Sequence, residues 1–137
     1  MDASVLVALI GVEEGTPAAI AFVNAADESL IVSEFAVGEV ASATSRLVRM
    51  GKIEIDEGRE RLAAFDEWVA AATLPVATTE HDIRLGARLV RQFALGVRMP
   101  DAIHLAAAQI RGHTLATMDH RMAMNAEQLR MRVVVPS

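Results

Sequence analysis

The 137-residue chain has no cysteine, no tyrosine, one tryptophan and a single lysine, Lys52. Without cysteine there are no disulfides, thiolate metal sites or cysteine nucleophiles. No run approaches the roughly 20 apolar residues of a membrane span. No basic segment precedes the first apolar run, so no signal peptide is expected. This profile predicts a cytoplasmic protein with no membrane contact. The net charge is −5, so the chain lacks the overall basic character that draws nucleic acid. Any such binding needs a local arginine surface, a bound cation, or both.

The chain is 53% hydrophobic, rich in Ala, Val and Leu, and long enough for one domain over residues 1–137 with a real core. Asp2 opens a short helix that ends near Gly11. Thr16-Pro17 starts a second, to about Ala26. Leu30–Ser33 has the length and branching of a buried parallel strand. Glu34 to Met50 reads as a long helix with Val37, Val40, Ala41, Thr44, Leu47 and Val48 on its core stripe. Asp56 is placed to cap a fourth helix running to Ala72, with Leu62, Phe65, Trp68 and Val69 inward. Leu74–Thr78 follows as a strand. Thr79 caps a helix with an apolar face of Ile83, Leu85, Leu89, Val90 and Phe93, stopping near Gly96. A helix from Pro100 to Arg111, a strand Thr114–Met118, a helix from Asp119 to Leu129 and a strand Met131–Val135 complete the chain. Strands alternating with helices imply an α/β fold, a parallel sheet with helices on both faces.

The helix after Pro100 carries an acid at its start. Proline at a first helical position loses only an N–H that had no partner. Asp101 then sits at the positive end of the helix dipole. The Ala/Ile/Leu segment that follows is uncharged until Arg111, which predicts burial and pins Asp101 at the edge of the core. In an open parallel sheet, ligands bind beyond the carboxyl ends of the strands. Asp119 directly follows a strand, and Asp2 begins a helix. Glu39 lies one turn into the helix after Leu30–Val32, with small neighbours around it. Asp2 and Asp119 also fit as plain N-caps. Four carboxylates converging on one rim would repel unless a cation were present. Mg²⁺ or Mn²⁺ would suit such oxygen donors, and a pair of ions could activate water at a phosphodiester.

Four stretches carry a family likeness: Asp2-Ala3-Ser4-Val5-Leu6, Ser33-Glu34-Phe35-Ala36-Val37-Gly38-Glu39-Val40, Pro100-Asp101-Ala102-Ile103-His104-Leu105, and Thr117-Met118-Asp119. In this order and spacing they resemble the acidic motifs of PIN-domain proteins, and among these the VapC-type toxins of type II toxin–antitoxin modules. The resemblance implies a three-layer α/β/α sandwich with a mostly parallel five-stranded sheet. It also implies a Mg²⁺-dependent endoribonuclease, with Mn²⁺ able to substitute, that hydrolyses RNA phosphodiester bonds by metal-activated water. Carried over by position, Asp2, Glu39, Asp101 and Asp119 are the catalytic, metal-binding carboxylates. Ser4 and Thr117 are hydroxyls that orient the metal shell or the substrate. Implied partners are the RNA substrate, a cognate VapB-type antitoxin and a second copy of the chain, as a homodimer within a larger assembly. One departure stands out: family members carry several apolar residues before the first Asp, as a central strand, whereas only Met1 precedes Asp2 here.

Other candidates divide between chemistry and packing. Arg98, just before the Pro100 motif, is placed to contact RNA or a site carboxylate. Arg84, Arg88 and Arg91 share one helix face, which reads more simply as a solvated face than as a phosphate stripe. His104 reads as a core or dimer-facing histidine satisfied by hydrogen bonds. An alternative reading is a catalytically degenerate PIN-fold binding module. A receiver domain would need a late lysine, and a Rossmann protein needs a G-x-G-x-x-G that is absent.

Overall fold

The computed structural model describes residues 1–11 and 14–137. The chain forms two compact units, one of Met1, Ala3–Ala77 and Ser137, the other of Asp2 and Thr78–Pro136.

The first unit contains α1 (Ala3–Ile10), α2 (Thr16–Asn24), β1 (Leu30–Ser33), α3 (Glu34–Arg49), α4 (Ile55–Ala72) and β2 (Thr73–Val76). β1 and β2 pair in parallel, with Leu30 opposite Thr73 and Ser33 opposite Val76. The Met1 amino group donates to the Ile31 carbonyl at 2.7 Å. Ser33 ends β1 and caps α3, its hydroxyl accepting the Ala36 N–H at 3.1 Å. One residue thus turns the chain from strand to helix. α3 buries Ala36, Val40 and Thr44. The Thr44 hydroxyl stays satisfied there by donating to the Val40 carbonyl. Leu6, Val32, Ala36, Val40 and Phe65 form the core of this unit, with Trp68 packed against it. Burying a side chain such as Phe65 contributes about 1.5–3 kcal/mol. The start of α4 differs from the expectation. Its N-cap is Glu54, which makes no side-chain cap bond, and Asp56 lies inside the first turn. There Asp56 still meets the helix dipole favourably, and it pairs with Arg59.

The second unit contains α5 (Glu80–Val90), α6 (Met99–Arg111), β3 (Leu115–Ala116), α7 (His120–Gln128) and β4 (Val133–Val134). β3 and β4 are parallel, Leu115 opposite Val133. Its core gathers Leu89, Leu95, Ala102, Leu105, Ala106, Leu115, Met122 and Ala126. Thr79 caps α5 as predicted, in a full capping box with Asp82. Asp82 also takes a two-pronged ion pair from Arg111 at the end of α6, at 2.6 and 3.0 Å. This joins the start of one helix to the end of the next. Gly86 lets the two helices come close, since a Cβ there would lie 3.4 Å from the Ala102 backbone. α6 ends where predicted, at Gly112 in the left-handed conformation, φ 64°.

The predicted five-stranded sheet is not what forms. Among the described residues there are two separate two-stranded parallel pairs, β1–β2 and β3–β4. The strands expected over Thr114–Met118 and Met131–Val135 shorten to two residues each. Flanking groups bond elsewhere: the Asp119 N–H turns back to the Thr117 hydroxyl, and the Met131 N–H turns back to the Ala126 carbonyl. Among the described residues α1 begins at Ala3, and Met1 and Asp2 before it lie in no ladder strand.

Candidate functional site

Two of the acids meet where β3 ends. Thr117 follows β3 and is fully buried, and Asp2 is 1% exposed. The Asp2 N–H donates to the Ala116 carbonyl at 3.0 Å, which sets its backbone beside β3. The Thr117 hydroxyl donates to Asp2 Oδ2 at 2.6 Å. Its oxygen in turn accepts the Asp119 N–H at 3.0 Å. A single hydroxyl therefore ties the Asp2 carboxylate to the turn that carries Asp119. A charge-assisted O–H···O⁻ bond of this length is among the stronger kinds. In a buried setting, losing this donor would remove part of what offsets the carboxylate's desolvation.

Asp119 is the N-cap of α7, as one of its two sequence readings had it. Its Oδ1 accepts the N–H groups of Arg121 and Met122, at 2.8 and 3.1 Å. No described residue donates to Oδ2, and the side chain is exposed. Capping thus fixes one oxygen and leaves the other directed to solvent. The two readings are compatible in one side chain.

Asp101 lies in the first turn of α6, with Pro100 before it and Arg98 as the N-cap. Residues 102 to 106 behind it are all buried, so it does mark the edge of the core. Its side chain is 26% exposed, and Arg98 Nε stands 3.5 Å from Oδ2. Arg98 itself is 86% exposed. Such a pair contributes little to stability and leaves the guanidinium able to swing. His104, one turn on, is buried, as a core histidine should be.

Glu39 and Ser4 belong to the first unit. Glu39 sits half-buried on α3, beside Gly38, around which space is open. Ser4 is half-buried on α1. Hydrogen bonds therefore gather Asp2, Thr117 and Asp119, and an ion pair joins Asp101 to Arg98. Among the described residues, no three His, Cys, Asp or Glu side chains stand close enough to hold a metal ion.

The sequence reading missed three features of the second unit. Asp82 is the most buried acid of α5 and is committed to Arg111. Its hydrogen bonds from Arg111 hold its carboxyl down to about 2. The spacing of 29 residues to its partner gives no local signal. The Arg121 guanidinium lies against Gly96. Phe93 was placed on an apolar helix face, yet it is 88% exposed. The reason is that α5 stops at Val90, and Leu95 takes the core position instead. Ile83, on the same predicted face, is likewise exposed. Arg84, Arg88 and Arg91 form a solvated face as expected, Arg84 pairing with Glu80.

Aspartates at helix starts, two of them tied by a buried hydroxyl beside a parallel strand, mark an α/β protein. The PIN domain family matches residues 1–128, and the chain belongs to that family. PIN domains are in general metal-dependent nucleases, so the fold is a nuclease fold. No curated protein matches the chain. Asp2, Glu39, Asp101 and Asp119 supply only carboxylate oxygens, the donor type that hard divalent ions favour. In donor chemistry they fit the metal the family uses.

Proposed function

We propose that this protein is a Mg²⁺-dependent endoribonuclease, the toxin of a VapBC-type toxin–antitoxin module. The observation that carries the reading is the Asp2–Thr117–Asp119 link in a chain of the PIN family. A buried hydroxyl spent on orienting a buried carboxylate is costly to maintain for packing alone. It is what a site needs when a ligand must be held in one geometry.

In this reading Asp2, Glu39, Asp101 and Asp119 hold the cation. When bound, Mg²⁺ or Mn²⁺ supplies Lewis-acid activation and neutralises charge at the scissile phosphodiester. The Thr117 hydroxyl holds Asp2 in place and fixes the turn at Asp119. The Asp119 cap bonds keep one oxygen on the helix end and direct the other outward. Arg98, barely tethered to Asp101, turns to a substrate phosphate. Ser4 completes the polar shell near the start of α1. The proposed partners are RNA, a VapB-type antitoxin and a second copy of the chain, in the cytoplasm.

The test is cleavage of a structured RNA with and without Mg²⁺. Asp101→Asn keeps the size and much of the hydrogen bonding but removes the charge. Its cleavage rate is expected to drop by more than about 100-fold, with an unchanged circular dichroism spectrum. Full Mg²⁺-dependent cleavage by Asp101→Asn refutes the assignment. Copurification with a small, separately encoded partner tests the toxin role.

A further inference from the structure

The second unit differs from the first in charge. It carries eight arginines against six carboxylates, whereas the first carries five basic residues against twelve acidic. Its most exposed large apolar side chain is Phe93, in the segment between α5 and α6. That segment is not a loose loop. The Gln92 N–H bonds to the Leu89 carbonyl, the Leu95 N–H to that of Gln92, and the Gly96 N–H to that of Phe93. Leu95 is 7% exposed and anchors the turn in the core. Phe93 is thus held outward on an ordered support.

A cation is held at the end of the same turn. Gly96 has φ 57°, and any side chain there would meet the guanidinium of Arg121. The missing side chain is what lets Arg121 lie on the turn whose first carbonyl belongs to Phe93. Among the described residues, no carboxylate forms an ion pair with Arg121, Arg88 or Arg91. The other exposed residues of the segment are Arg91, Gln92, Ala94, Gly96 and Arg98. An exposed aromatic side chain thus shares its segment with Arg91 and Arg98, and Arg121 reaches the same segment at Gly96, a combination that suits a base and its phosphate. The segment also adjoins the acids: Arg98 pairs with Asp101, and the Arg121 N–H bonds to Asp119.

We infer that Phe93 is a stacking platform for an unpaired base of single-stranded RNA, with Arg121 on Gly96 contacting the adjoining phosphate. A π-face accepts any base, and a guanidinium beside it follows the backbone. The rim therefore favours single-stranded segments of a substrate, whose bases can splay out, over duplex. The choice of RNA as the ligand rests on the nuclease reading above; the stacking itself does not.

The test measures binding separately from cleavage. A short fluorescein-labelled single strand of RNA, and the same sequence as a duplex, are titrated in EDTA and followed by anisotropy. Phe93→Ala is expected to weaken single-strand binding about 5- to 150-fold. Phe93→Trp should retain it, and duplex binding should not change. Arg121→Gln should weaken binding and lower the salt slope by about one. In a Trp68→Phe, Phe93→Trp chain the indole at position 93 reports stacking directly, by quenching on addition of the single strand. If Phe93→Ala binds the single strand as the wild type does, or loses both forms equally, the inference is overturned. The nuclease reading then stands or falls on its own cleavage assay. If Phe93→Ala loses binding while the wild type cleaves nothing, the platform stands and the nuclease reading falls. A wild-type chain that binds no RNA overturns the inference, and a protein retained through Phe93 would then be the alternative occupant.

Discussion

Replacing Arg111 by Gln should destabilise the second unit by about 2–3 kcal/mol at pH 7. Asp82 is fully buried, and Arg111 is 20% exposed. The pair stands at 2.6 and 3.0 Å, and Thr79 adds bonds from its N–H and hydroxyl at 2.7 and 2.9 Å. The bonds from Arg111 are the largest cause that lowers the Asp82 pKa, from 3.8 to about 2. That difference corresponds to about 2 kcal/mol of stability. Removing the arginine also strands a buried charge, a loss of about 3–5 kcal/mol when both partners are fully enclosed. The partial exposure of Arg111 and the remaining Thr79 bonds place the expected value at the low end.

The pH dependence gives the reasoning its sharpest check. A carboxylate with a lowered folded-state pKa contributes stability above its ordinary value, and that stability is lost as pH falls through about 2. The gap between wild type and Arg111→Gln should therefore be full at pH 5–7 and shrink to about half near pH 3. Urea unfolding followed by far-ultraviolet circular dichroism, with slopes compared between variants, measures it. Asp82→Asn should cost less, about 1–2 kcal/mol, because the arginine left behind can reach water. A gap under about 0.5 kcal/mol at pH 7, or one that widens on acidification, would refute the account.

How much of this was legible in the chain depends on the range of the interactions. Local signals carried well. Thr79, Asp119, Gly112 and the Pro100–Asp101 helix start are each set by bonds within a turn, and each lies where its residue type predicts. Parallel pairing was also legible, because short branched runs between helices leave few other arrangements. Strand extent was not. Whether Met118 or Met131 continues a ladder depends on competing partners, such as the Thr117 hydroxyl that takes the Asp119 N–H and the Ala126 carbonyl that takes the Met131 N–H. The Asp82–Arg111 pair spans two helices, and nothing in either local sequence marks it. Phe93 shows the limit of periodicity. Its spacing fits the apolar face of α5, but the helix ends three residues before it, and a short turn then rotates it outward. At the site, the acids were visible as types at spacings. The Thr117 hydroxyl that joins two of them came only as a family likeness, and the bond itself came from the fold.

Two further substitutions probe the same region. Gly96→Ala should cost about 1–2 kcal/mol from the left-handed backbone, and it should push the Arg121 guanidinium off the turn, so that single-strand RNA binding falls as it does in Arg121→Gln. Thermal melts and the anisotropy titration together test this; loss of stability with unchanged RNA affinity would separate Arg121 from the rim. Thr117→Val is the more telling change. It keeps the shape of a fully buried side chain but removes the donor to Asp2 Oδ2 and the acceptor for the Asp119 N–H. The buried carboxylate and the Asp119 N–H each lose one bond, a cost of about 1–3 kcal/mol. Thr117→Ser restores the hydroxyl and should recover most of that loss, apart from the small cavity left by the methyl group. If Thr117→Val melts with the wild type, the hydroxyl does not hold Asp2. If it melts lower but cleaves RNA at the wild-type rate below its transition, the bond serves the fold alone, and the carboxylate site must be sought without it.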